Sequence, residues 1–240
     1  MILHFYLRYS TRFGQSIFVS GNNVLLGNDN ISKAFPLTYL NDHLWHGSIE
    51  IPESGLAVPV CYKYVLQEEN GERAPEFGDD RIIDFDKVTA SKVVVTDTWN
   101  HAGDFQNAFY TAPFRDVLLK SKTGKKTTAG KSVKSGTHEF RIKAPVLQQH
   151  EVICISGSSD ALNDWDKENV LLLSKNDNWW SIKLNLGKAA FPVVYKYGIY
   201  NSHDKKFTRF EDGNNRILLN DEGRNSFTII HDGFAMLNNI

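Results

Sequence analysis

The sequence predicts an all-β protein made of two consecutive antiparallel β-sandwiches of immunoglobulin type, and three observations carry that expectation. Short runs alternate apolar and polar residues with period two, no segment sustains a helical period, and the chain matches itself. Gly21 pairs with Gly157, Trp45 with Trp180, Tyr62-Lys63-Tyr64 with Tyr195-Lys196-Tyr197, Arg81 with Arg216, Asp97 with Asp232 and Trp99 with Phe234. The offset stays between 133 and 136 residues. A near-constant offset over this many landmarks is the mark of a duplicated domain of about 100 residues, a size that folds alone.

In the first copy, residues 1–115, Leu3, Phe5, Leu7 and Tyr9 alternate with Ile2, His4, Tyr6 and Arg8. Short β-rich runs follow at Ser16–Ser20, Trp45–Ile51, Pro59–Leu66, Arg81–Phe85 and Lys92–Asp97. The second copy, residues 137–240, repeats the series at Phe140/Ile142, Glu151–Ser156, Val170–Leu173, Trp180–Leu186, Phe191–Ile199, Arg216–Leu219 and Ser226–His231. Trp99 and Phe234 close the core at the end of each copy. Between the copies, residues 116–136 hold Lys120, Lys122, Lys125, Lys126, Lys131 and Lys134 among Ser, Thr and Gly. Such a segment has too little apolar surface to offset its ordering entropy and reads as a linker or exposed loop. Its Gly124 and Gly130-Lys131-Ser132 imitate a phosphate loop, but five residues separate the glycines where the motif needs four, and no apolar helix follows.

Composition excludes several classes of function. With 41% hydrophobic and 23% charged residues in 240, the chain can bury a core. A formal net charge of -1 gives no field that would hold nucleic acid or an anionic membrane. Neither a leader with a basic start and a small-residue cleavage site nor an apolar run of about 18 residues is present, which fits a cytoplasmic protein. The two cysteines, Cys61 and Cys154, lie in apolar strand-like runs and read as reduced, buried thiols.

Nothing in the sequence demands an enzyme, a metal or a cofactor. There is no nucleophile elbow, zinc spacing or dinucleotide fingerprint, and His43 and His46, three apart in a turn, read as solvated. Asp79-Asp80 and Glu211-Asp212 precede strands and read as hydrated turn residues.

The aromatic residues are more informative. Trp165 stands among amides and charges in Leu162-Asn163-Asp164-Trp165-Asp166-Lys167, a loop-like segment that would leave its ring at least half exposed. Phe210 occupies a similar polar turn, and Lys196 lies between Tyr195 and Tyr197, which strand alternation sends to the opposite face. A pyranose shows an apolar C–H face that stacks on a ring, and hydroxyls that need donors such as Lys and Asn. Two rings set at an angle suit a curved α-glucan better than a flat β-glucan. Equally, Trp165 could simply lid an edge of the sandwich.

Leu162-Asn163-Asp164-Trp165, Val194-Tyr195-Lys196-Tyr197 and Phe210-Glu211-Asp212-Gly213-Asn214-Asn215-Arg216 carry a family resemblance. In the first copy it rests on Ile17-Phe18-Val19-Ser20-Gly21, Leu25-Leu26-Gly27, Tyr62-Lys63-Tyr64 and Thr96-Asp97-Thr98-Trp99. Together they resemble starch-binding domains of carbohydrate-binding module family 20, over most of both copies. The resemblance implies a β-sandwich with two α-glucan sites per domain. It places one site of the second copy on Trp165, Lys196, Phe210 and Asn215, with Phe210 where the family usually has a tryptophan. In the first copy the equivalents are Lys63 and Phe77, and the loop tryptophan is missing. The family's other site falls on Phe13, Tyr39 and Trp45 in the first copy. In the second it keeps Trp180, while Gln149 replaces the counterpart of Phe13. Trp45 and Trp180 also read as half-buried strand starts.

Tandem modules followed by Asn107-Ala108-Phe109-Tyr110-Thr111-Ala112-Pro113-Phe114 resemble the front of a 4-α-glucanotransferase of glycoside hydrolase family 77. That resemblance implies a downstream catalytic domain in a longer parent chain. The expected partner is an α-glucan polysaccharide or oligosaccharide, bound without catalysis by these residues. Two alternatives stand beside it: a scaffold tethering another effector to glycogen or starch, and a protein-interaction sandwich with no sugar site.

Overall fold

The structure is a computed structural model that describes residues 1–111, 113–114, 136–176, 178–219 and 225–237. The phosphate-loop look-alike and nearly all of the Lys-rich linker lie outside the described residues. The chain divides into two compact units, Met1–Asp104 with Asn225–His231, and Phe105–Arg224 with Asp232–Ile240.

The first unit begins with β1 (Ile2–Arg8), β2 (Ser16–Gly21), β3 (Phe35–Pro36), β4 (Thr38–Asn41) and β5 (Leu44–Glu50). It continues with β6 (Val60–Gln67), β7 (Arg73–Pro75), β8 (Arg81–Ile83) and β9 (Lys92–Thr98). One layer runs β4-β5-β1-β9, antiparallel except for the parallel pair β1/β9. The other joins β3 to β2 and β2 to β6, with β7 and β8 both on the far side of β6. Alternation sends Leu3, Phe5 and Leu7 of β1, Ile17 and Val19 of β2 and Val93 and Val95 of β9 into one fully buried core.

The second unit holds β10 (His138–Lys143), β11 (Glu151–Gly157), β12 (Leu171–Leu172), β13 (Ser174–Asn176), β14 (Trp179–Leu184), β15 (Val193–Asn201), β16 (Lys206–Phe210) and β17 (Arg216–Leu218). Here β13-β14-β10 form one antiparallel layer, and β12-β11-β15 the other, with β16 and β17 both on β15. The last strand, β18 (Ser226–Phe234), runs parallel to β9 over Ser226–His231, so those residues belong to the first unit. Phe105–Tyr110, a 3-10 segment, belongs to the second; Tyr110 faces Lys143, whose Nζ is 5.2 Å from the ring.

A buried polar network explains why the matched residues recur. Tyr62 and Tyr64 donate to Asp97 at 2.8 and 2.7 Å, and Tyr195 and Tyr197 donate to Asp232 at 2.8 and 2.9 Å. Arg81 donates to Glu76 and Arg216 to Glu211, while each glutamate also accepts the backbone N–H of the second tyrosine of its copy. Glu211 is therefore a buried ion-pair member, not the hydrated turn residue that its neighbours suggest, because only a carboxylate matches both the guanidinium fork and the strand amide. Burial pushes the Tyr64 and Tyr197 phenols well up, and the adjacent carboxylates push them further.

Cys154 is buried, and burial raises its thiol to about 12; Cys61 is only partly buried, on the outward side of β6, which corrects the expectation for that residue. His43 meets the Ser10 hydroxyl at 2.9 Å, and His46 meets His4 at 3.1 Å. Among the described residues no group of three or more His, Cys, Asp or Glu is placed to hold a metal ion, and no helix is long and apolar enough to cross a membrane.

Candidate functional site

In the second unit the loop after β11 sets the indole of Trp165. Gly157 makes the departure possible: a Cβ there would lie 2.4 Å from the Val194 carbonyl oxygen and 2.8 Å from Leu162. Leu162 is fully buried and anchors the 3-10 segment Asp160–Trp165, held by its N–H on the Ser159 carbonyl at 2.7 Å and by the Ser156 hydroxyl on its own carbonyl at 3.2 Å. Three successive residues then take the left-handed conformation, Asn163 at φ 58°, Asp164 at 44° and Trp165 at 63°. Asn and Asp visit that region readily, whereas a bulky aromatic does so at a strain of about 1–2 kcal/mol. Such strain at a surface tryptophan marks a ring whose direction matters. A hydrogen bond with Asp160 raises the Asp164 carboxyl, whereas hydrogen bonds from Asn169 and the Glu168 N–H lower that of Asp166.

The indole meets Phe210 at 5.9 Å between centroids and 82° between planes, two walls of a right-angled corner. Phe210 ends β16 rather than sitting in a turn, so a strand fixes its direction. Trp165 is partly buried, less exposed than its charged neighbours suggest, because one side of the ring faces that phenyl. Lys196 projects from β15 on the side opposite the fully buried Tyr195 and Tyr197, and its Nζ donates to the Gly213 carbonyl at 2.6 Å. Lys167 Nζ lies 5.9 Å from the Phe210 ring, and Asn215 is exposed in the turn before β17. Phe207, which the sequence reading passed over, packs on Phe210 at 4.6 Å. Its one advance signal is Gly198, a glycine inside an otherwise bulky strand.

The same place in the first unit is chemically different. Asn28 and Asp29 are left-handed at φ 50° and 61°, so Asp29 stands where the second unit has Trp165. Glu76 holds Arg81 as Glu211 holds Arg216, and Pro75 faces Val65 as Phe210 faces Gly198. Pro75 is thus the counterpart of Phe210, and Phe77 falls one position past the glutamate; its expected equivalence to Phe210 is corrected. Lys63 is held by Asp80 at 2.7 Å, where the second unit has Asn215. No ring remains at these positions, and the cation is neutralised.

At the other candidate position Phe13 is fully exposed and Tyr39 half exposed, with the Tyr39 hydroxyl donating to Asp42 at 2.6 Å. Tyr39 stands edge-on to Trp45, 5.5 Å and 78° apart. Trp45 is only 6% exposed and Trp180 5%, and neither indole N–H finds an acceptor among the described residues. As site residues both are corrected: they face inward from β5 and β14 and can back a neighbouring ring without offering a face of their own. In the second unit the residue opposite Trp180 is Lys175, so the second ring is missing there, and Gln149 is exposed.

Each unit is thus a β-sandwich, and the second presents a right-angled aromatic corner with a lysine on the adjacent strand. The chain belongs to the family described as Starch binding domain, which matches residues 1–95 and 138–229. It is 26% identical over 212 residues to the Oryza sativa subsp. japonica protein named 4-alpha-glucanotransferase DPE2, a match covering 81% of this chain and 22% of that protein. The chain therefore spans about a fifth of the length of this curated relative. Among solved structures, the glycoside hydrolase family 15 glucoamylase from Hypocrea jecorina is 28% identical, covering 42% of this chain and 17% of that one, with a TM-score of 0.35. The family 20 module of the maltotetraose-forming amylase from Pseudomonas saccharophila STB07 is 22% identical, covering 35% and 89%, with a TM-score of 0.31.

Proposed function

We propose that these residues bind α-1,4-glucans (starch, glycogen and maltooligosaccharides) without catalysis, and that the two units do so through different faces. In the second unit Trp165 and Phe210 take the apolar face of successive glucose residues, while Lys196 and Asn215 meet their hydroxyls. In the first unit Phe13 and Tyr39 offer rings, with Trp45 behind Tyr39. The observation that carries the reading is the corner of Trp165 and Phe210, held at 82° by a strained loop and a strand end. Two aromatic faces set at a right angle fit a coiled polymer, and an ion pair or a proline, as at the same place in the first unit, does not.

The rice relative's name supports a further step: the chain delivers glucan to a glucanotransferase domain in a longer parent. A cytoplasmic location belongs to the same proposal, in keeping with two free cysteines. Two weak tethered sites raise the effective local concentration on one polymer and gain roughly 100-fold where both can engage, so long chains bind more tightly than maltose. Affinity electrophoresis through starch gels tests the reading. The parent chain is retarded, Trp165→Ala and Lys196→Ala migrate faster, and equal migration of all three overturns it. Incubation with maltotriose should leave chain lengths unchanged; redistribution would overturn the non-catalytic half.

A further inference from the structure

We infer that Phe207 is a specificity-determining residue of the Trp165 site, forming with Phe210 a two-ring wall that takes one more glucose unit of a longer chain. The inference rests on the glucan-binding reading above. Phe207 and Phe210 are three residues apart, so strict strand alternation would send them to opposite faces. They share a face because the β15/β16 register shifts between Ile199 and Tyr200: Gly198 faces Phe210 and Ile199 faces Arg209, but Tyr200 faces Phe207, leaving Thr208 extra. Lys196, Gly198 and Tyr200 alternate with the buried Tyr195, Tyr197 and Ile199, so both phenyls lie on the outward side that carries Lys196.

Gly198 is the floor for the added ring. A Cβ there would come within 2.8 Å of Phe207 Cε2 and 2.7 Å of the Arg209 carbonyl oxygen, so any other residue would lift the phenyl off the strand. The result is a continuous run of rings, Trp165 to Phe210 at 5.9 Å and Phe210 to Phe207 at 4.6 Å, with Phe207 tilted 55° from its neighbour and partly exposed. A single phenyl is a smaller platform than an indole, and a second one beside it lengthens the wall along β16. Maltose fills the Trp165/Phe210 corner alone, and a longer chain running past Phe210 reaches Phe207.

The test is calorimetry with maltose and maltoheptaose on the full chain in a Tyr39→Ala background, which removes a ring of the first unit. Phe207→Leu keeps apolar volume over Gly198 but has no flat face, and Phe207→Ala removes both. Expected for both variants is maltose affinity within about twofold of the parent and maltoheptaose affinity reduced about fivefold. If Phe207→Leu binds maltoheptaose like the parent, or loses maltose and maltoheptaose affinity equally, the inference is overturned. Trp165→Ala in the same background separates the two claims. Loss of both sugars there with no effect of Phe207→Leu removes only the added subsite, unchanged binding in Trp165→Ala removes the Trp165 site and the subsite with it, and no binding of either sugar by the parent removes the glucan reading itself.

Discussion

Replacing Trp165 by alanine gives the sharpest measure of the corner. The indole stands 5.9 Å from Phe210 and at 82° to it, so the two rings meet edge to face and each offers its outer face to one of two successive glucose residues laid across the corner. One indole face offers on the order of 80 Å², and drying it at about 25 cal/mol per Å² contributes about 2 kcal/mol. That is about a 30-fold rise in Kd. Folding should change far less: Trp165 is partly exposed, and alanine at φ 63° gives up the contact with Phe210 at a position already in the left-handed region. Trp165→Phe retains a flat face of about two-thirds the area, for a loss of about threefold. The assay is isothermal calorimetry with maltotriose in the Tyr39→Ala background, beside thermal melts of each variant. A Kd for Trp165→Ala within twofold of the parent, with an unchanged melt, would refute the claim that this ring is a sugar platform.

Lys196→Ala should weaken maltotriose binding about fivefold in the same assay, through loss of a charged donor, while Lys63→Ala, which breaks only the pair with Asp80, should leave it unchanged; equal effects would remove the asymmetry between the units. Gly157→Ala drives a Cβ to 2.4 Å from the Val194 carbonyl and should cost about 2 kcal/mol in a denaturant melt, with loss of binding at the Trp165 loop. Acid should find Asp97. Burial alone would raise its carboxyl, but the charges of His231 and Arg81 and hydrogen bonds from His231 and Tyr64 bring it from 3.8 down to about 2. A depressed carboxylate stabilises the fold fully above pH 4, and its contribution, about 2 kcal/mol, is lost as pH falls toward 2. The stability gap between parent and Asp97→Asn should therefore shrink over that window, and a gap flat from pH 5 to 2 would contradict it.

Much of this was legible in the sequence because the duplicated residues are those the fold cannot replace. Tyr62-Lys63-Tyr64, Arg81 and Asp97 recur as Tyr195-Lys196-Tyr197, Arg216 and Asp232 because each copy buries two phenols on one carboxylate beside a guanidinium. Pattern alone could not find β3, β7, β13 or β16, which are two to five residues long and lie at the edges of their sheets, where one face is wet and alternation fades. Missing β16 is what put Phe210 in a turn and left Phe207 unseen. Phe77 was misaligned for a related reason: Glu76 and Glu211 are matched by their ion pairs, and a ring next to a glutamate looks the same in sequence whichever side it lies on.

The units then differ where nothing in the fold constrains them. Asp29 and Trp165 occupy one left-handed loop position, Pro75 and Phe210 one strand end, and Asp80 and Asn215 one turn, yet Arg81 and Arg216 are held alike by their glutamates. A surface free to exchange an indole for a carboxylate without disturbing the core can lose one binding face and keep another. Tyr39 opposite Trp45 against Lys175 opposite Trp180 shows the reverse exchange at the other end. On the proposed reading each copy has kept the face that its partner gave up, so removing either pair of rings should weaken the grip on a long glucan far more than on a short one.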